Sequence, residues 1–284
     1  MAQDTRPYRS VLYIPGSRAR ALDKARTLPI DAVIFDLEDA VSVDEKVNAR
    51  QTLKAALDEG GYGPRVKIVR INGLDTQWGV DDARAVAEMN TDAVLLPKVE
   101  SAAEVDALVA LIPDHLPIWA MMETPRGMLN AAEIAAHPRV VGFVMGTNDL
   151  AKELQSRFRP DRLAMLGPLS MCLLAARAEG LVIVDGVFNA FKDTEGLRAE
   201  CEQGRDMGFD GKTLVHPAQV DVCNDAFAPS EDEVALARRQ IAAFEETAAA
   251  GNGVAVVDGR IVENLHVVTA KQILAKAEAI AALA

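Results

Sequence analysis

Short apolar segments alternate with longer segments of helical character along most of the chain. Several apolar segments are hydrophobic at consecutive positions, which is typical of strands covered on both faces in a parallel sheet. The pattern predicts strands at 10–14, 31–37, 66–71, 93–97, 118–122, 140–145, 181–184 and 213–215. Strands that alternate with helices in this way predict an α/β fold.

The number of predicted strands favours a (β/α)8 TIM barrel over its competitor, an open doubly wound sheet. No G-x-G-x-x-G segment follows a predicted strand, which argues against a dinucleotide-binding version of the open sheet. We expect the barrel to occupy residues 1–228 and a C-terminal extension to occupy 229–284. In the extension, the pattern predicts a helix near 230–249, a hairpin at 255–262 and a helix near 266–282. Asp258-Gly259 suits a type I′ turn in that hairpin.

Composition narrows the class of protein. The 284 residues include 30 Lys and Arg against 42 Asp and Glu, a net charge of −12, which argues against a general nucleic-acid-binding protein. No apolar run approaches the roughly 18 residues that span a membrane, and the N-terminus lacks the apolar region of a signal peptide. Cys172, Cys201 and Cys223 match no metal-binding spacing. We therefore expect a cytoplasmic protein with reduced cysteines.

Polar residues recur where the predicted strands end, and in a barrel these ends form one rim. Glu123 and Asp149 follow the fifth and sixth strands, so their carboxylates would face one pocket. A site of this kind, rich in hard oxygen ligands, favours Mg²⁺. The alternative is structural: Asp149 would cap a helix that starts at Leu150, and Glu123 would pair with Arg126. Spacing alone leaves both interpretations open.

Arg70 ends the apolar third strand, where a buried charge needs an anionic partner. It would hold a carboxylate or a developing oxyanion, or form a structural ion pair with Asp36 or Glu38. These two roles are compatible. Asp36, Glu38 and Asp39 form a dense acidic group, part of which would orient Arg70 and metal-bound water.

The first loop and the residues after it suit a ligand rich in phosphate. Gly16 allows close approach, and Arg18, Arg20 and Lys24 supply positive charge. Taken alone, Arg18 is equally an ordinary solvated helix residue. His216, before a proline, is either a structural hydrogen-bonding residue or a base.

Eight motifs together resemble one family. They are LYIPGSR, IFDLEDAV, VRING, LLPKVE, METPRGMLN, MGTNDLAKEL, DGKTLVHPAQ and GVAVVDGRIVEN, in this order over nearly the whole chain. They are similar to the citrate lyase β-subunit and malyl-CoA lyase (HpcH/HpaI aldolase) family. The segment IVENLHVVTAKQILAKAEAI resembles the branch that contains (3S)-malyl-CoA thioesterase. The resemblance implies a TIM barrel, a homo-oligomer (trimer or hexamer), Mg²⁺ with Mn²⁺ as a substitute, and an acyl-CoA substrate.

The resemblance also implies roles for individual residues. Glu123 and Asp149 match the metal-binding carboxylates, and Arg70 matches the arginine that binds the reacting acyl group. Tyr13, Arg18 and Lys24 match positions that contact the CoA moiety. Asn148 matches a position against the substrate. His216 and Pro217 match a turn beside the pantetheine channel.

One position departs from the family pattern. In the family, the tail of one subunit reaches over the barrel rim of its neighbour and supplies the base. Members that make or break the C–C bond usually carry Asp in this tail motif, whereas this chain has Glu263. Base catalysis is sensitive to displacements of about 1 Å, so a longer side chain could favour activation of water. We expect Glu263 to act as base, with the Asp36 and Glu38 group second.

The expected reaction is Mg²⁺-dependent hydrolysis of (3S)-malyl-CoA to malate and CoA. Retro-Claisen cleavage of malyl-CoA, or of methylmalyl-, citramalyl- or citryl-CoA, to acetyl-CoA or propionyl-CoA and a 2-oxo acid such as glyoxylate is the alternative. Two other hypotheses for the function are a citrate lyase β subunit that acts on a carrier-protein thioester and a non-catalytic CoA-binding regulator. A degenerate regulator would tend to lose Glu123, Asp149 or Arg70, and all three are present.

Overall fold

The computed structural model describes residues 6–249, 251 and 253–283. These residues form two compact units. The first unit is Tyr8–Phe227, and the second contains the described residues from Ala228 onwards together with those before Tyr8.

Within the described part of the chain, eight parallel strands of the first unit close into a barrel in sequence order. The strands are β1 (Ser10–Pro15), β2 (Ala32–Asp36), β3 (Val66–Arg70), β4 (Ala93–Leu96), β5 (Ile118–Met122), β6 (Val140–Met145), β7 (Val182–Asp185) and β8 (Gly211–Leu214). The predicted TIM barrel is confirmed, and the open doubly wound sheet is excluded because β1 pairs with β8.

Helices connect successive strands and surround the barrel. They are α1 (Ala19–Ala25), α2 (Lys46–Glu59), α3 (Gly79–Val86), α4 (Ala102–Val109), α5 (Pro125–Leu129), α6 (Ala131–Ala135), α7 (Thr147–Glu153), α8 (Leu163–Glu179), α9 (Thr194–Met207) and α10 (Val220–Phe227). Short 3₁₀ turns at Val43–Glu45 and Pro217–Gln219 precede α2 and α10.

The hydrophobic core has two layers separated by the strands. Ile34, Ile68 and Trp119 belong to a cluster of inward-facing residues inside the barrel. Their chain neighbours, such as Phe35 and Val69, belong to the larger cluster that packs against the helices. Since both faces of each strand are covered, these strands have apolar residues at consecutive positions instead of alternating ones.

The eighth strand differs from its prediction. It begins at Gly211, two residues before the predicted 213–215. Lys212 lies within it, fully buried, with its Nζ 3.2 Å from Asp185 Oδ2 and 2.6 Å from Glu200 Oε1. A buried lysine that is neutralised by two carboxylates interrupts the apolar pattern, which is why the pattern placed the strand too late.

The second unit contains a helix, a hairpin and a second helix. These elements are α11 (Glu231–Ala249), β9 (Ala255–Val257), β10 (Arg260–Val262) and α12 (Asn264–Ala281). The predicted turn is confirmed: Asp258 and Gly259 have φ of 51° and 74°, as a type I′ turn requires. A small core that includes Val257, Val262 and Val267 supports the hairpin.

No helix among the described residues is long and apolar enough to cross a membrane.

Candidate active site

A cavity of about 310 Å³ opens where the barrel strands end, and we call it the central cavity. Its walls are Tyr13, Asp36, Asp39, Ala40, Arg70, Met121, Met145, Gly146, Thr147, Asn148, Asp149, Val187 and Val215. Ligand sites in TIM barrels occupy this end of the strands. The central cavity therefore brings together side chains that are more than 100 residues apart in the sequence.

Arg70 is buried in the wall of the central cavity and held rigidly by Asp36. The two residues are aligned across β2 and β3, and Arg70 Nε and Nη2 donate to Asp36 Oδ1 and Oδ2 at 2.7 and 2.6 Å. Asp36 also accepts from the N–H groups of Glu38 and Ala40, both at 2.9 Å. Despite burial, which alone would raise it, the pKa of Asp36 is held below its ordinary value by Arg70 and these hydrogen bonds. The pair is therefore a fixed, fully ionised unit.

Glu38 and Lys98 extend this ionic network. Glu38 Oε2 lies 2.8 Å from Arg70 Nη1, and Lys98 Nζ donates to Glu38 Oε1 at 2.8 Å. Burial raises the pKa of Glu38 in spite of both cations. Each cation thus has a carboxylate beside it, and Glu38 links the Arg70 side of the network to β4.

Lys98 also positions Glu123 through its backbone. It adopts a left-handed conformation, with φ of 51°, and its N–H donates to Glu123 Oε1 at 2.9 Å. Such conformations cost energy in non-glycine residues and cluster at functional sites. No role was predicted for Lys98 from the sequence. Its place directly after β4 was the available signal.

Glu123 is fully buried, and its second carboxylate oxygen is not satisfied. Oε2 has no hydrogen-bond partner among the described residues. Gly146 lies against this carboxylate, and a Cβ at position 146 would collide with it. The pKa of Glu123 is raised to about 8, mainly by burial; the Lys98 and Arg70 cations oppose this rise, and the Glu38 and Asp149 carboxylates contribute to it. A buried oxygen of this kind is an open ligand position.

Asp149 lies in the first turn of α7, in the wall of the central cavity. The helix begins at Thr147 and its N-cap is Gly146, so the structural alternative in which Asp149 caps a helix starting at Leu150 is wrong. The alternative ion pair between Glu123 and Arg126 is also absent from the described residues. Both carboxylates therefore remain available to a ligand.

The set of donors suits a hard cation. No group of three or more His, Cys, Asp or Glu side chains among the described residues could hold a metal ion. Two carboxylates beside a cavity whose wall contains no cysteine or histidine fit Mg²⁺, which binds through one or two carboxylates and takes its other oxygen ligands from water and substrate. The residues present are thus compatible with Mg²⁺ and unsuited to a structural zinc site.

Tyr13 covers the Arg70 guanidinium from β1. The guanidinium carbon lies 5.0 Å from the centre of the Tyr13 ring, and the Tyr13 hydroxyl is 3.8 Å from Met121 Sδ. Burial raises the pKa of Tyr13 well above its ordinary value, so the phenol stays protonated. Tyr13 thus lies over the ionic network, with its hydroxyl directed at a weak acceptor.

Other residues singled out from the sequence lie outside this cluster. Arg18 and Lys24 are exposed at either end of α1 and do not line the central cavity. His216 accepts from the Ala218 N–H and stacks on Phe191 at 4.5 Å, and Pro217 begins the 3₁₀ turn beside it.

Glu263 belongs to the second unit. It is the N-cap of α12, where its side chain and that of His266 form a reciprocal capping box. Its carboxylate is exposed.

The fold and the central cavity define a TIM-barrel protein whose site combines a rigid buried arginine with two available carboxylates. The family model described as HpcH/HpaI aldolase/citrate lyase matches residues 9–217. The chain belongs to the HpcH/HpaI aldolase/citrate lyase family of enzymes, as the sequence motifs predicted.

Two relatives and one solved structure each match nearly the full length of this chain. A (3S)-malyl-CoA thioesterase of Cereibacter sphaeroides (strain KD131 / KCTC 12085) is 68% identical over 282 residues, which cover 99% of each chain. A citrate lyase subunit beta of Leuconostoc mesenteroides subsp. cremoris is 35% identical and covers 95% of this chain and 93% of its own. The CitE protein of Mycobacterium tuberculosis, crystallised with magnesium, acetoacetate and coenzyme A, superposes with a TM-score of 0.83 at 33% identity. That match covers 96% of this chain and 99% of the other.

Proposed function

We propose that this chain is a Mg²⁺-dependent enzyme that hydrolyses (3S)-malyl-CoA to malate and CoA. The observation that carries the proposal is the pair of available carboxylates near the rigid Arg70: Asp149 lies in the wall of the central cavity, and Glu123 is buried against the wall residue Gly146. The 68% identity to a protein named (3S)-malyl-CoA thioesterase supports this choice of substrate and reaction.

Glu123 and Asp149 are the proposed Mg²⁺ ligands, and Mn²⁺ is the proposed substitute. The orphaned Glu123 Oε2 supplies one oxygen, and Gly146 leaves the space that this carboxylate needs. When bound, Mg²⁺ would supply a template and Lewis acid for the hydroxyl and carboxylate oxygens of the substrate.

Arg70 would stabilise the oxyanion that develops on the thioester carbonyl. Asp36 holds its guanidinium at two points, so little reorganisation is needed when charge develops. The pKa of Arg70 is raised by Asp36 and Glu38 against the opposing effect of burial, which keeps the side chain charged.

Glu263 of a neighbouring subunit is the proposed general base. It would take a proton from water, the resulting hydroxide would add to the thioester carbon, and the C–S bond would break to release the CoA thiolate, which is then protonated. Asp36 and Glu38, the second candidates, are engaged with Arg70 and Lys98, and we propose that they position Arg70.

The proposal divides the chain between two tasks. Residues 1–228 would carry the central cavity, and residues 229–284 would supply Glu263 to another copy. The protein would accordingly be a homo-oligomer, a trimer or a hexamer, and it would act in the cytoplasm. Mass measurement by light scattering would test the assembly.

In the wall of this cavity, Asn148 would lie against the substrate and Tyr13 would contact the CoA moiety. Arg18, Lys24, His216 and Pro217 would contact the CoA moiety further out.

A retro-Claisen lyase is the second candidate. The match of about 35% to citrate lyase beta subunits favours it, because cleavage of malyl-CoA to acetyl-CoA and glyoxylate would use the same carboxylates and the same Arg70. Methylmalyl-, citramalyl- and citryl-CoA are the alternative substrates of this reaction, and a carrier-protein thioester is the alternative for a subunit of a citrate lyase complex.

The deciding experiment incubates the purified protein with (3S)-malyl-CoA and Mg²⁺ and separates the products. Malate and free CoA without glyoxylate would support hydrolysis. Acetyl-CoA and glyoxylate would replace the proposal with the lyase. Glu123→Gln serves as the inactive control, and full turnover by that variant would show that the metal assignment is wrong.

A further inference from the structure

A second cavity of about 430 Å³ lies beside the central cavity, and we call it the side cavity. It is enclosed by the segment 157–160 after α7, the start of α8 and the segment 187–190 after β7. The two cavities share Thr147 and Val187 as wall residues. A volume of this size accommodates a small organic ligand.

Arg162 forms part of the wall of the side cavity and has an unused donor. Its Nε donates to Gln203 Oε1 and its Nη1 donates to Asp185 Oδ2, both at 2.6 Å. Its Nη2 is buried and has no hydrogen-bond partner among the described residues, although the residue is only 7% exposed. A buried guanidinium nitrogen without a partner is costly, so its presence calls for an acceptor.

Arg162 is also held in place by its surroundings. Its backbone is left-handed, with φ of 51°, where α8 begins. Asp185 in turn is bound by the buried Lys212 at 3.2 Å. These contacts fix the position of the Arg162 guanidinium, so Nη2 is held in one place.

Arg157 contributes a second unused cation to the wall. It makes no hydrogen bond or ion pair with the described residues. Arg159, two residues further on, is by contrast bound to Asp161 at 2.9 and 2.6 Å.

The carboxylates of the side cavity are partly engaged. Asp193 Oδ1 accepts from the Gly196 N–H at 2.9 Å, and Glu200 Oε1 accepts from Lys212 Nζ at 2.6 Å. Of the three arginines in the wall, Arg159 and Arg162 are paired with Asp161 and Asp185, so Arg157 is the one without a carboxylate partner among the described residues.

Aromatic and apolar groups form the rest of the wall. Phe158 is 67% exposed, and Phe188, Pro160 and Met165 contribute further apolar surface. We propose that the side cavity binds a small organic anion, with its carboxylate or phosphate on Arg157 and Arg162 Nη2 and its flat apolar body against Phe158 and Phe188.

This ligand would be separate from the substrate of the central cavity. Asn148 in the wall of the central cavity and Asn189 in the wall of the side cavity are joined by two amide hydrogen bonds, at 2.8 and 3.3 Å. This pair and the shared wall residues Thr147 and Val187 lie between the two cavities, so an occupant of the side cavity would occupy a space separate from the substrate region.

Calorimetric titration with phenyl phosphate, which combines a flat body with a phosphate, tests the proposal on the full-length protein with Mg²⁺ and saturating CoA. A ligand this small is expected to bind in about the millimolar range. Inorganic phosphate, which lacks the apolar body, is expected to bind several-fold more weakly. Arg157→Ala is expected to weaken phenyl phosphate binding about tenfold, because it removes a charge-assisted hydrogen bond.

Arg84→Ala is the matched control, because Arg84 is exposed on α3 and its loss changes the net charge equally. It should leave binding unchanged. Absence of binding, equal weakening by both variants, or displacement of phenyl phosphate by CoA would each overturn the proposal. Arg162→Lys, which keeps the charge but loses the Nη2 donor, should also weaken binding, and the Arg157 comparison decides the matter if this variant does not fold.

Discussion

Replacing Glu123 with Gln removes a charge that the barrel buries beside the carboxylates of Glu38 and Asp149. The pKa of Glu123 rises from 4.5 to about 8 in the metal-free folded protein. Between these two values the folded state holds a proton that the unfolded state has lost. The contribution of Glu123 to stability is therefore greatest below pH 4.5 and falls as the pH rises towards 8.

The size of this effect follows from the pKa difference. At pH 7 the pH lies 7 − 4.5 = 2.5 units above the pKa of the carboxyl in the unfolded chain. At about 1.4 kcal/mol per unit, keeping Glu123 protonated in the folded protein costs about 3 kcal/mol of folding free energy. Glutamine avoids this cost and can keep the hydrogen bond from the Lys98 N–H. Its buried NH₂ group without an acceptor would cost about 1–3 kcal/mol. We therefore expect the variant to be about 0–2 kcal/mol more stable than the original protein at pH 7 without metal.

Urea unfolding with EDTA and with Mg²⁺, at pH 5 and pH 7, measures this balance. The advantage of the variant should be smaller at pH 5, because there the unfolded carboxyl is only 0.5 units above its pKa. Mg²⁺ should stabilise the original protein by mass action and leave the variant unchanged. The variant should also lose turnover, so that stability and activity move in opposite directions.

The reasoning would be refuted by a variant less stable than the original protein at pH 7 with no dependence on pH, or by equal Mg²⁺ stabilisation of both. Glu153→Gln is the control, because Glu153 is exposed on α7 and its substitution removes the same charge without a buried site. It should change neither the pH dependence nor the response to Mg²⁺.

Four further outcomes are expected. Gly146→Ala should weaken Mg²⁺ binding and lower kcat, since the new Cβ collides with Glu123, and a Mg²⁺ titration of activity checks this. Glu263→Gln should lower kcat and leave Mg²⁺-dependent stabilisation intact, whereas unchanged kcat would remove Glu263 as the base. Lys212→Met should destabilise the fold by about 3–5 kcal/mol, because it leaves the buried Asp185 with Arg162 alone, and urea unfolding measures it. The pKa of Asp185 lies below 3.8, held there by Lys212 and Arg162 against the effect of burial, so its contribution to stability is present above pH 3.8 and should be lost below it.

The strands and the hairpin were predictable because their signals are local. Consecutive apolar residues identified seven of the eight barrel strands to within one residue at each end, and Asp258-Gly259 identified the hairpin turn among the described residues. The eighth strand was misplaced because its buried Lys212 is polar, and only its partners on β7 and α9 explain why a lysine is tolerated there.

The candidate site was predictable in its composition but not in its contacts. Arg70, Asp36, Glu123 and Asp149 were identified because each follows or ends an apolar strand. The alternatives left open for Asp149 and Glu123 were decided by the start of α7 and by the absence of an Arg126 partner in the described residues. Lys98 was given no role because its contribution to Glu123 comes from a backbone N–H, whose direction no side-chain pattern reveals.

The sequence by itself determined the strand and helix order, the hairpin and the family, since periodicity, turn residues and motifs are properties of neighbouring positions. Tertiary structure alone decided which charges meet. Barrel closure aligns Asp36 with Arg70 and Asp185 with Lys212 across adjacent strands. Glu123 Oε2 and Arg162 Nη2 are left buried without partners among the described residues. The physical reason is that a buried charge is stabilised or left available by groups that are distant in the chain, and their positions depend on the register of the closed sheet.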